Sequence, residues 1–355
     1  MTWFDKRTAS VLITIGVFVA AAGFIYDARR VLIIFLLAIL FAYLLEPLVS
    51  RFERWERISR GSRNLAILEV YAIFCAAIAI TFIFLGPGIA GQLKNLAAAL
   101  PSLFEKVTSG QIAIQIGSTH GWSYNTQMRL QQFLASHSGV IVGWIGSIGE
   151  RMASLAQNAV WLVLIPILAV FFLRDGRVFM DDIFRMIEPR QQKRFLMGIS
   201  NDLNEMLAHY IRMQLILMAL SLAAYMSVLS ILRVPYAAAL GAIAGVLEFI
   251  PVVGPLVGAA AIVSVAFMAG YHHLVVVVVF LGIWRLVQDY VTTPHLMGEK
   301  LKLHPLVVIF AVLVGAEIGG VIGVYLSIPI AAALRIVWAR WRRIFASEQH
   351  SVKAA

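Results

Sequence analysis

The stretch PYAAALGAIAGVLEFIPVVGPLVGAAAIVSVAFMAG, residues 235–270, is apolar nearly throughout and yet broken in its middle. The interruption is Pro251-Val252-Val253-Gly254-Pro255, where two prolines remove backbone donors and a glycine permits a turn. The stretch therefore reads as two helical halves joined by a break. A second apolar stretch, 304–338, is interrupted at Gly315, at Gly319-Gly320 and at Gly323. Pairs of Pro- and Gly-broken apolar segments point to a transporter, because unwound backbone and half-helix ends can face a solute near the bilayer midplane. A kinked helix or a tight hairpin is the alternative that proline also produces.

The flanks settle the class. Apolar runs occupy 10–26, 31–49, 65–85, 156–173, 213–232 and 274–287. About 20 residues at 1.5 Å each span the hydrocarbon layer. Lipid offers the backbone no partners, and runs without strand-like alternation choose helices over a barrel. Of the 355 residues 61% are hydrophobic and 14% charged, with mean hydropathy +0.85, against about a quarter charged in a soluble domain. The expected fold is an all-α polytopic integral membrane protein with about six spanning helices, two broken, re-entrant helical hairpins and an extracytoplasmic amphipathic helical segment.

Lys6 and Arg7 before the first run, with Ala20-x-Ala22 late in it, resemble a secretory signal. The apolar core is too long for that and another run follows at once, so this is the first transmembrane helix. The net charge of +10 does not imply nucleic acid, since the cations cluster beside spans, where headgroups and topology account for them. The lone Cys75 lies inside a span and excludes a disulfide framework or multi-cysteine metal site. No cofactor is expected.

Lys and Arg collect in cytoplasmic loops. Arg51, Arg54, Arg57, Arg60 and Arg63 form one set; Arg174, Arg177, Arg185, Arg190, Lys193 and Arg194 a second; Arg340, Arg342 and Arg343 a third. Placing all three inside puts both termini in the cytoplasm and 86–151 outside. In that outer stretch Leu93, Leu96, Leu100, Leu103 and Val107 recur at helical spacing, which predicts an amphipathic helix on the membrane or on the protein. Residues 110–123 read as a mobile tip, and Gly139, Gly143, Gly146 and Gly149 as a small-residue face suited to a homo-oligomer. Between Arg174 and His209, Ile183, Phe184, Ile187, Phe195 and Ile199 give charged cytoplasmic helices an apolar side. The organisation expected is 1–85, three spans; 86–151, the outer helical region; 152–212, the fourth span and cytoplasmic helices; 213–345, a transport core; 346–355, a disordered tail. The same topology makes the two broken stretches re-entrant hairpins from opposite faces.

Several motifs, in order, resemble those of the autoinducer-2 exporter (PerM-like permease) family: Phe171-Phe172-Leu173-Arg174-Asp175-Gly176; Tyr210-Ile211-Arg212-x-Gln214; Val234-Pro235-Tyr236; Glu248-Phe249-Ile250-Pro251-x-x-Gly254-Pro255; Pro294-x-x-Met297-Gly298; Leu303-His304-Pro305-Leu306-Val307-Val308; and Gly323 with Pro329. The resemblance covers nearly the whole chain. It implies a multi-pass inner-membrane permease, exporting autoinducer-2 in some members and linked to sodium/proton exchange in others. One departure is that many members place an acid and then an amide ahead of the proline matching Pro294, whereas here Gln288 precedes Asp289.

Charges inside a bilayer need a partner or water. Glu248 lies just before the Pro251 break and Glu317 inside the second, locations that favour function because broken helices line cavities. Arg285, Gln288 and Asp289 share a helix face at i, i+3 and i+4. They form either a structural ion pair, Arg285 with Asp289, or part of a transport site. The candidate substrate-binding residues are thus Glu248, Pro251, Gly254, Pro255, Gln288, Asp289, Pro294, Glu317, Gly319 and Gly320. Arg212 with Gln214, and Glu69, read as interfacial, Arg233 as snorkelling, and Glu46 and His304 as structural; His272-His273 reads as a solvated outer loop.

Two functions remain open. One is secondary export of a small polar, hydroxyl-rich solute, autoinducer-2 by resemblance, with Glu248 or Glu317 coupling a proton. The other is sodium/proton antiport through Glu248, Asp289 and Glu317. No H-E-x-x-H, G-x-S-x-G or Walker motif supports an enzyme or ATP-driven pump.

Overall fold

The computed structural model describes residues 6–55, 62–109, 159–297 and 303–353, with 111, 114, 117, 123–129, 131–133, 136 and 139 between them. The elements are α1 (Lys6–Asp27), α2 (Arg29–Arg54), α3 (Arg63–Thr108), α4 (Ala159–Arg185), α5 (Arg190–Ile231), α6 (Ala237–Leu247), α7 (Val253–Met268), α8 (Leu274–Val287), a π-helical turn (Gln288–Thr292), α9 (Thr293–Met297) and α10 (Pro305–Lys353). No strand occurs among the described residues.

Six helices among these residues are long and apolar enough to cross a membrane: Ser10–Asp27, Arg29–Arg54, Arg63–Thr108, Arg190–Ile231, Leu274–Leu296 and Pro305–Arg342. Their large side chains point outward, Phe18 at 74% and Phe84 at 78% exposure. Apolar surface so continuous is stable only against lipid. The protein is an all-α, multi-pass membrane protein.

Pro305–Arg342, however, is folded back on itself. Gly320 has φ 58° and ψ −138°, a conformation suited to glycine. Across it, a Cβ on Gly315 would stand 2.4 Å from the Gly323 carbonyl oxygen, although residues eight apart in an unbroken helix lie about 12 Å apart. Gly315, Gly320 and Gly323 thus form the close backbone contact and tip of a helical hairpin. The other hairpin is α6 and α7, of 11 and 16 residues, about 16 and 24 Å long against a hydrocarbon layer of about 30 Å. Arms that short enter a bilayer without crossing it.

The fourth apolar run is recovered in α4, a 27-residue helix, from Ala159 onward.

Contacts divide the chain into two compact units, Met1–Ile67 with Gln157–Ile183, and Leu68–Ala156 with Phe184–Ala355. In the first, Arg63 donates to the Leu173 carbonyl at 2.7 Å, to Glu53 at 2.9 Å and to Glu46 at 2.8 Å. Glu46 also accepts from Arg177 at 2.6 Å. The ends of α2 and α4 and the start of α3 are therefore joined by the first two cationic sets, and Glu46 has the structural role expected of it. Arg63→Met should lower stability by about 1.5–3 kcal/mol, the scale of a lost charged hydrogen bond, read as an earlier thermal transition of the detergent-solubilised protein.

In the second unit α3 carries the amphipathic stretch expected over 93–107. It runs unbroken through Gly86-Pro87-Gly88 to Thr108, and Leu96, Leu103 and Val107 are buried with Tyr225, Leu229, Leu240, Ile262 and Val277. The amphipathic face covers protein. Most of 110–123, and Gly143, Gly146 and Gly149, lie outside the described residues; a Cβ on Gly139 would meet nothing.

The α6–α7 hairpin is fixed at its base. Gln92 Oε1 accepts the Ala238 and Ala239 amides at 2.8 and 3.2 Å, serving the orphan donors at the start of α6. Tyr271 past the end of α7 donates its hydroxyl to the Leu232 carbonyl past the end of α5. Gly241 and Gly245 face the α5 backbone at Met226 and Leu222, and Gly258 faces Ala244. Small residues let these backbones touch.

Candidate functional site

The break between α6 and α7 leaves Glu248-Phe249-Ile250-Pro251-Val252 outside both helices. Val252 has φ 66° and ψ −54°, and the Val253 amide donates to the Pro251 carbonyl at 2.7 Å. That is a γ-turn of the rare, strained hand, unusual for a β-branched residue. Glu248 opens the break, three residues ahead of Pro251.

Glu248 is only 4% exposed. Its Oε1 accepts from Gln288 Nε2 at 2.9 Å and its Oε2 from the Tyr225 hydroxyl at 3.4 Å. Its backbone carbonyl accepts from Gln214 Nε2 at 2.6 Å. Arg285 Nη1 lies 3.8 Å from Oε1, while Arg285 Nε donates to Asp289 Oδ2 at 3.0 Å. Ser221 Oγ accepts from Gln288 Nε2 at 2.7 Å and from Trp284 Nε1 at 3.2 Å. A buried carboxyl is thus held by α5 on one side and by α8 with its π-helical turn on the other.

Beside it lies a cavity of about 200 Å³ lined by Tyr225, Val252, Pro255, Leu256, Ala259, Leu281 and Arg285. Its walls are mostly apolar, with one hydroxyl and one guanidinium, a surface that suits a small solute with a few polar groups. Phe249 stacks on Tyr325 of α10 at 4.7 Å, and Tyr210 donates to the Tyr325 carbonyl at 3.0 Å. These contacts bring the return arm of the second hairpin to the tip of the first.

Of the residues expected from sequence, Glu248, Gln288, Arg285 and Asp289 form one connected group, with Pro251 in the turn and Pro255 in the cavity wall. Gly254 is buried at the start of α7, where a Cβ would stand 1.8 Å from the Leu247 carbonyl oxygen. Arg285 and Asp289 pair at i, i+4 as expected, whereas Gln288 is set apart from Asp289. The π-helical turn begins at Gln288 and turns it inward, 2% exposed, while the Asp289 side chain is 44% exposed. Such wide turns recur at functional sites. Pro294 in α9 is exposed, outside the group. Glu317, with Gly319 near the Gly320 tip, is exposed and has no hydrogen-bond or ion-pair partner among the described residues.

Gln214 departs from its expected interfacial role, for it is 3% exposed and braces the Glu248 backbone, while Arg212 is exposed. The sequence reading missed Ser221, Tyr225 and Trp284. A signal existed for the first two: Gln214, Ser221 and Tyr225 follow at spacings of seven and four, which puts three polar groups on one face of an otherwise apolar helix.

Comparison with known proteins gives the same outline. The sequence model described as AI-2E family transporter matches residues 11–343. "Putative permease PerM" of Escherichia coli (strain K12) is 26% identical over 96% of this chain and 96% of that protein. "Putative transport protein YrrI" of Bacillus subtilis (strain 168) is 24% identical over 89% of this chain and 88% of that protein. "AI-2 transport protein TqsA" of Escherichia coli (strain K12) is 22% identical over 92% of this chain and 90% of that protein.

Proposed function

The chain belongs to the AI-2E family of transporters, and on that premise we propose that it is a secondary exporter of a small, hydroxyl-rich solute of the autoinducer-2 kind, coupled to protons through Glu248. The observation that carries this reading is a buried carboxyl at the break of a helical hairpin, hydrogen-bonded by Gln288 and Tyr225 and adjoining a solute-sized cavity. A carboxyl there can take up or release a proton as the hairpin opens to one side or the other.

Sodium/proton antiport is the weaker reading. Arg285 stands within 3.8 Å of Glu248 and 3.0 Å of Asp289, and a fixed cation beside both carboxylates opposes a metal cation. Glu317 shares no hydrogen bond or ion pair with them among the described residues. The joined cationic ends of α2, α3 and α4 support a cytoplasmic location for that side of the first unit, in the inner membrane, and the cationic set Arg340, Arg342 and Arg343 supports the same for the end of α10.

The test is flux in proteoliposomes under an imposed pH gradient. The wild-type protein should accumulate radiolabelled autoinducer-2, and Glu248→Gln, which keeps shape and an acceptor for Gln288, should lose gradient-driven accumulation by at least about tenfold, equivalent to about 1.4 kcal/mol. Sodium-dependent acidification without solute flux would replace this reading with the antiporter.

A further inference from the structure

The transport reading above leaves open how the proton on Glu248 is felt by anything else, and one unsatisfied atom answers it. Gln288 Nε2 has two hydrogens, and both are used, on Glu248 Oε1 at 2.9 Å and on Ser221 Oγ at 2.7 Å. Gln288 Oε1 is buried and has no hydrogen-bond partner. An orphaned buried carbonyl is costly, and a side-chain amide can exchange its oxygen and nitrogen by a half turn of its last torsion.

Here one neighbour forbids the half turn. An ionised carboxylate only accepts, so an amide oxygen turned toward Glu248 would set oxygen against oxygen. Ser221 is no obstacle, because a hydroxyl donates as readily as it accepts; Trp284 Nε1 occupies Ser221 Oγ as acceptor at 3.2 Å. The other groups facing Glu248 leave Oε1 as the variable atom. Tyr225 of α5 donates to Oε2, Gln214 of α5 holds the backbone carbonyl, and Arg285 of α8, whose Nε is bound to Asp289, keeps its Nη1 3.8 Å from Oε1, beyond hydrogen-bond reach.

A proton arriving at Glu248 Oε1 forms one new O–H bond and removes the obstacle. The half turn then places Gln288 Oε1 where Nε2 had been, accepting from Glu248 and from Ser221. The NH₂ group moves to the position that the orphaned oxygen held. We propose that Gln288 reads the charge of Glu248: it presents a hydrogen-bond acceptor on its far side when the carboxylate is ionised and a donor pair when the carboxyl is protonated. This rests on proton coupling at Glu248.

The experiment is infrared difference spectroscopy between high and low pH on the full chain in lipid bilayers, with glutamine labelled at its side-chain carbonyl. In the wild type a carboxyl band and a labelled amide band should titrate together; Glu248→Gln should abolish both, and Gln288→Met should abolish the amide band while keeping the carboxyl band. In proteoliposomes Gln288→Met should lose the gradient-driven part of autoinducer-2 accumulation. An amide band that stays still while the carboxyl titrates, or a Gln288→Met protein with the wild-type gradient response, overturns the inference. Failure of the wild type to move autoinducer-2 would instead strike the transport reading, and the paired infrared bands would still decide the role of Gln288. Should Gln288→Met fail to fold, co-titration in the wild type remains decisive.

Discussion

Gly254→Val should yield almost no folded protein. A Cβ at 254 would stand 1.8 Å from the carbonyl oxygen of Leu247 and 2.6 Å from its carbon. Both are main-chain atoms at the end of α6, so no rotamer change relieves the clash. Overpacking typically costs about 1–3 kcal/mol where side chains can move; with backbone on both sides of the break the loss should reach the top of that range or exceed it. Gly282→Ala is the control, because a Cβ there meets nothing within 4 Å, and a helical glycine replaced by alanine gains up to about 1 kcal/mol. Size-exclusion profiles and thermal transitions in detergent compare the two. A monodisperse Gly254→Val protein melting with the wild type would refute the tight hairpin contact.

Glu248→Leu should abolish gradient-driven flux and also weaken the fold, unlike the conservative glutamine. Removing the carboxyl strands the Tyr225 hydroxyl and one Gln288 hydrogen, at about 1–3 kcal/mol each, partly offset by about 1.5–3 kcal/mol from burying the leucine. A net destabilisation of about 0.5–3 kcal/mol is expected by that arithmetic. Adding Tyr225→Phe removes one stranded donor and should recover part of the loss, the mark of coupled neighbours. If the double variant is less stable than Glu248→Leu alone, the Tyr225 hydroxyl does not answer to Glu248.

The hairpins were legible in the sequence because proline and glycine act locally. Pro251, Gly254 and Pro255 break the apolar run whatever surrounds them, and Gly320 supplies the backbone that a turn needs. Glu248 stood out because a charge beside such a break has few structural uses. Tyr225, Ser221 and Trp284 were not legible in the same way, since a single polar residue in an apolar helix does not reveal what it faces. The separation of Gln288 from Asp289 depends on a π-helical turn, and a spacing argument assumes an α-helix. The length of α3 beyond the apolar run 65–85 was not legible for the opposite reason. Gly86-Pro87-Gly88 is a strong local break, yet tertiary burial of Leu96, Leu103 and Val107 carries the helix through it. Glu317 shares the composition of Glu248 without its burial, and the sequence could not rank the two.

The unequal anchoring of the α6–α7 hairpin determines how it can move. Gln92 and Tyr271 hold its base through main-chain amides and a carbonyl, bonds indifferent to protons, while its tip is tied through Glu248 and the Phe249 ring. If protonation slackens the tie at Glu248, the hairpin becomes a cantilever, with negligible travel at the clamp and its largest excursion at Val252, where the strained turn sits.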